Sequence, residues 1–154
     1  MLLAILRVLI GFVLACLVAG TVQVGFALGP SFVTTFTNPE ARALEWILLT
    51  ATHSAVFAAP FALIAASIAE WQSFRSVFFH AAWAVAIALA GFAAQYQSEL
   101  PGQPATIANT YALATYGTTG LLAGIAYWLA SGRYAGESPP SKTVVAETKS
   151  EPAT

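Results

Sequence analysis

Aspartate is absent from this sequence, cysteine and methionine occur once each, and only 8% of the 154 residues are charged. Each shortage closes off a class of chemistry. Without aspartate there is no Asp-based phosphotransfer motif, and the seven acids are all Glu, placed at segment ends or in the C-terminal stretch. A single cysteine, Cys16, can form neither an internal disulfide nor a CxxC redox pair, and its apolar surroundings mark it as a small packing residue. A net charge of −1 leaves no basic surface for nucleic acid. A soluble domain carries about a quarter charged residues, far more than this chain.

What fills the sequence instead is apolar: 58% of residues are hydrophobic. A bilayer core needs about 20 such residues in a row to be crossed by a helix. Four stretches qualify, at 8–28, 46–69, 77–94 and 107–130. The first is preceded by Arg7, as in a signal peptide. It runs well past the 7–15 residues or so of a signal core and has no clear small-residue cleavage site, so it reads as a retained span. The segment from Gly132 onward turns polar, with Pro and Ser and no periodicity. The expected fold is all-α: a polytopic membrane four-helix bundle over residues 1–135, followed by a disordered cytoplasmic tail over 136–154.

The connections are short. Thr37-Asn38-Pro39-Glu40 carries the features of a helix start: Asn38 as N-cap, Pro39 in the first turn, and Thr37 with Glu40 matching a capping box. Trp71-Gln72-Ser73-Phe74-Arg75 forms a tight second turn, and two prolines break the third connection, 96–106. Five of the six Lys and Arg residues fall on the N-terminal side, the second turn and the tail, against Arg42 alone on the other side. The positive-inside bias therefore places both termini in the cytoplasm, in a bacterial inner membrane. Trp46, Tyr96 and Tyr111 then lie at the outer interface and Trp71, Tyr127 and Trp128 at the inner one, while Trp83 falls within the third span and should pack between helices.

Lipid tails are as apolar as leucine, so hydrophobicity alone does not bring such helices together; small residues do, by letting backbones approach. Gly11, Ala15 and Ala19 repeat every four positions on the first span, Ala86, Ala90 and Ala94 on the third, and Gly120 with Gly124 forms a GxxxG on the fourth. These read as helix-packing seams, or as a seam between two copies of the chain.

The two histidines invite a bis-His haem or a metal site. With alternating helix directions, His53 lies in the outer half of span two and His80 just above the inner end of span three, on the order of 15 Å apart in depth at 1.5 Å rise per residue. No haem or metal bridges that within one chain, so no cofactor or metal is expected. His80, with Ser76 and Trp83 one turn away on either side, reads as an interface histidine. His53 shares its helix face with Thr50. At matching depth lie Thr21 and Gln23 on span one, Gln95 at the end of span three, and Tyr111, Thr115 and Tyr116 on span four. This outer polar layer has two readings, interhelical hydrogen-bonding glue or a ligand or proton-handling site, and glue is the commoner outcome for Thr, Gln and Tyr. Elsewhere Glu45 lies three residues after Arg42, a surface ion pair. No HExxH, GxSxG or phosphate-loop pattern occurs. The first span lacks the carboxylate on which small multidrug transporters depend.

The stretches IAEWQSFRS at 68–76, GQPATIANTYAL at 102–113 and GLLAGIAYWLASGR at 120–133 resemble small four-helix bacterial inner-membrane proteins to which no activity is attached. The resemblance implies fold and location over residues 1–136 and brings no catalytic residue. The expected role is a structural or accessory subunit packed against a membrane complex. The rivals are a small transporter or ligand-binding protein working through His53 and its layer, and a membrane enzyme acting on lipid or quinone. Expected partners are the lipid bilayer and either another membrane protein or a second copy of the chain.

Overall fold

The computed structural model describes residues 2–32, 42–97 and 110–136. The capping box at 37–40, most of the third connection and the tail beyond Gly136 lie outside the described residues. Four long helices, α1 (Leu2–Leu28), α2 (Ala43–Gln72), α3 (Val77–Gln97) and α4 (Thr110–Ala130), make up the chain, with short 3-10 turns at Gly29–Ser31 and Gly132–Tyr134 and no strand among the described residues. In α1, α2 and α3, stretches of 25, 30 and 20 residues are long and apolar enough to cross a membrane. α4 is diluted by Thr, Tyr and Gly, but it runs alongside α1 from the bond between Tyr111 Oη and the Phe26 carbonyl to the contact of Gly11 with Ser131, and so covers the same depth.

α1, α2 and α3 overrun the apolar limits read from sequence, since helical hydrogen bonding continues until the backbone is turned aside. α1 ends at Gly29, whose φ of +56° is cheap only for glycine, with Pro30 next. α2 ends at Ser73, the one non-glycine with positive φ (54°) among the described residues; its N–H and that of Phe74 both return to the Ala69 carbonyl.

The interior is built of small side chains. Ala19, Ala43, Ala51, Ala66, Ala69 and Ala81 are buried, whereas Leu44, Leu49, Val56, Leu63 and Phe78 are each more than 60% exposed. That inversion suits lipid: large apolar groups face the tails and small ones let backbones touch. A Cβ on Gly20 would lie 2.6 Å from the Ile47 carbonyl oxygen, so α1 and α2 meet backbone to backbone there. Cβ atoms on Gly120 and Gly124 would come within 2.6 and 2.7 Å of the Cα atoms of Val85 and Ala81, which brings α4 against α3. Gly11 serves the α1–α4 seam, facing Tyr127 and Ser131. Ala19 is buried, and Ala15 is half-buried. Ala86, Ala90 and Ala94, in contrast, are exposed and form no helix seam; the side of α3 that α4 covers carries Ala81, Ala84, Val85 and Ala88.

Neighbouring helices run antiparallel, and α1 packs on α2 and α4, and α4 on α3, but α2 and α3 barely touch. The bundle is a ring with three tight seams and one open one.

Candidate functional site

The open seam leads into a slot of about 340 Å³ lined by all four helices. Its waist is made of Ala58, Ala62 and Ala65 on α2, facing Ala84, Ile87 and Ala88 on α3. The alanines would let the two helices close up, but aromatic props hold them apart. The Phe57 ring leans on Gly91, where a Cβ would meet it at 3.3 Å, and Trp83 Nε1 donates to the Phe61 carbonyl oxygen across the seam at 3.3 Å. Between the props sits Pro60, inside α2, which has no N–H to offer the Val56 carbonyl. On α1 and α4 the lining runs from Phe12 to Gln23 and from Tyr116 to Tyr127, about 16 Å each at 1.5 Å per residue. The space is therefore long and narrow, the shape of a chain.

Polar groups gather at the end of the slot toward the C-terminus of α1, one helix after another. Gln23 Nε2 on α1 donates to Ser54 Oγ on α2 at 3.3 Å, and Tyr116 Oη on α4 donates to Gln95 Oε1 on α3 at 2.5 Å. All four residues line the slot, and His53 stands exposed at its rim, with no hydrogen bond to any described residue. Of the polar layer expected from sequence, the fold thus brings Gln23, His53, Gln95 and Tyr116 to one cavity. It does not bring Thr21, Thr50, Thr115 or Tyr111. The Thr21 and Thr115 hydroxyls turn back to the carbonyls of Leu17 and Tyr111 on their own helices, and Tyr111 is exposed, bonded to the Phe26 carbonyl and set edge-on to the Phe26 ring. Ser54, one of the hydroxyls flanking His53, was not counted in the layer; its match to Gln23 shows only once α1 and α2 are docked. One turn inward of Tyr116, Thr119 is 3% exposed and its hydroxyl has no partner among the described residues.

The opposite end, toward the N-terminus of α1, is closed. Phe79, His80 and Tyr127 narrow it; His80 Nδ1 donates to the Ser76 carbonyl at 2.9 Å, and its ring lies against Gly132. Beneath them the segment Ser131–Gly136 folds across the bundle as a strap. Arg75 Nε donates to the Ala135 carbonyl at 3.0 Å, and the Gly136 N–H reaches Glu70 Oε2 at 2.8 Å. Glu70 Oε1 pairs with Arg7 at 3.0 Å, and Arg7 in turn lies over the Tyr134 ring. Ser131 and Ala135 are only 1% and 2% exposed, so the stretch from Gly132 to Gly136, where the sequence turns polar, belongs to the bundle. The strap is docked through its own backbone groups, the Ala135 carbonyl and the Gly136 N–H, which leave no mark on composition. At the other side of the molecule Arg42 and Glu45 form an exposed pair at 3.6 Å.

Among the described residues no group of three or more His, Cys, Asp or Glu is placed to hold a metal ion. No family model, curated protein or solved structure matches this chain. The slot's own geometry therefore carries the functional argument.

Proposed function

We propose that this membrane protein binds a single chain-bearing amphiphile, taken in sideways from the bilayer between α2 and α3. The observation that carries this is the slot itself. Protein interiors rarely contain voids much larger than a water molecule, and ligand sites are apolar clefts of about 300–1,000 Å³ with a few polar groups, found among other places between the helices of bundles. At about 340 Å³, apolar along its waist and polar at one end, the slot fits that description. The setting is a bacterial inner membrane, with the polar mouth in the outer half and both termini cytoplasmic, supported by the distribution of Lys and Arg.

The test is purification of the full chain in mild detergent followed by lipid extraction and mass spectrometry. About one chain-bearing lipid per copy should survive washing. Ala62→Phe, which fills the waist, should lose it while keeping its helical content. A wild-type protein that retains no lipid sinks the proposal. The accessory-subunit reading has its own support in the same open seam, since a partner's helix would fill it too. Stoichiometric co-purification of another membrane protein, with a lipid-free slot, would favour that reading.

A further inference from the structure

The two ends of the slot differ in what a head group would find there. Among the described residues no Arg, Lys, Asp or Glu lines it. The described cations at its inner end are engaged elsewhere: Arg7 with Glu70, Arg75 with the strap and Arg133 with the Tyr134 ring. That end is also shut by the strap and the Phe79, His80 and Tyr127 rings. The outer mouth carries, among the described residues, only His53 and Tyr116 as titratable side chains and no Arg, Lys or carboxylate, and it keeps hydrogen-bonding capacity of both kinds. After Gln23 Nε2 has donated to Ser54, the Gln23 carboxamide oxygen, its second N–H and the Ser54 hydroxyl hydrogen remain. After Tyr116 has donated to Gln95, the Tyr116 oxygen still accepts.

The mouth is also recessed. Gln23 lies five residues, about 8 Å, short of the end of α1 at Leu28, and Ser54 eleven residues, about 16 Å, past the start of α2 at Ala43. A phosphate drawn to this depth would leave water without meeting a fixed charge, and an unpaired buried charge is far more costly than a buried carbonyl or hydroxyl that finds a hydrogen bond.

We infer that the slot selects uncharged lipids whose head carries a carbonyl or hydroxyl oxygen, bound at the Gln23–Ser54 and Tyr116–Gln95 pairs with the tail running inward along the alanine waist. This rests on the proposed function and narrows it. A quinone ring and a glycerol ester share the required chemistry, and both exclude the phospholipids that make up the surrounding bilayer.

Trp83 lines the slot, so its fluorescence reports occupancy in the detergent-purified full chain. Three probes of one tail length separate the sources: a decyl-substituted benzoquinone, decanoyl glycerol and decyl phosphate. One or both neutral probes should bind at least about ten-fold tighter than decyl phosphate. Which of them does so tells ring from ester. Gln23→Leu combined with Gln95→Leu should bring that preference to within about two-fold without blocking the tail; Ser54→Ala with Tyr116→Phe is the substitute if the first pair does not fold. Decyl phosphate binding as tightly as both neutral probes overturns the inference, as does a preference that survives in both double variants. If all three bind alike and Ala62→Phe blocks all three, head selection fails but the chain site stands. If Ala62→Phe blocks none of them, both readings fail.

Discussion

Glycines in this protein divide by what faces them. A Cβ on Gly124 would lie 2.7 Å from the Ala81 Cα and 2.8 Å from the His80 carbonyl oxygen, backbone atoms that cannot swing aside. Gly124→Leu should therefore push α4 off α3 and lower stability by about 1–3 kcal/mol or more, read as an earlier thermal melt in detergent. Gly25 and Gly117 have nothing within 4 Å of such a Cβ. Gly25→Ala and Gly117→Ala should each be neutral or stabilising by up to about 1 kcal/mol, because alanine is the better helix former. Thr119 makes the complementary case. Its buried hydroxyl has no partner among the described residues, so Thr119→Val removes a desolvated group and no bond. The variant should melt at the same temperature or higher; a clear loss of stability would show that the hydroxyl is satisfied in solution.

At the scale of elements, the strap turns a stretch of polar sequence into part of the bundle. Tyr134 and Gly136 contact the Arg7–Glu70 pair that joins α1 to α2, and the Ala135 carbonyl ties the strap to Arg75 in the α2–α3 turn, which Trp128 Nε1 of α4 also holds through the Arg75 carbonyl at 2.7 Å. Two truncations separate strap from tail. Ending the chain after Gly136 should leave folding unchanged. Ending it after Ala130 removes the acceptor for Arg75 and the Gly136 donor to Glu70, and should cost about 1–3 kcal/mol, measured by thermal unfolding in one detergent. Equal stability of the two truncated proteins would mean the strap only rests on the bundle. α2 differs from the other helices at this scale: Pro60 and the two phenylalanines around it sit where the ring of helices stays open.

For the whole molecule, the orientation in the membrane decides which side the slot opens toward. Cysteines introduced at Ser98 and Ser141, both outside the described residues, should label from opposite sides, Ser98 from the periplasm and Ser141 only after the membrane is breached. Cys16 is buried and needs no removal for this measurement. Labelling of both positions in intact cells would reverse the assignment and turn the polar mouth toward the cytoplasm.

The all-helical, membrane-spanning character of this chain was determined by sequence alone, because the length and apolarity of its runs reflect the thickness of a bilayer and need no partner to be read. The same holds for the local pair of Arg42 and Glu45, which are one helical turn apart. The polar layer was half legible: Gln23, His53, Gln95 and Tyr116 share a depth, and depth can be counted along a helix. Which side of each helix faces inward cannot be counted when both faces are apolar, and so Thr21, Thr50, Tyr111 and Thr115 were grouped with residues they do not join, and the Ala86, Ala90 and Ala94 stripe was assigned to a seam it does not form. The slot was decided by the tertiary structure only. Its alanines would close a tight seam in any other setting; here Phe57 and Trp83 reach across and hold α2 and α3 apart, and that spacing exists only once α1 and α4 have fixed where the two helices stand.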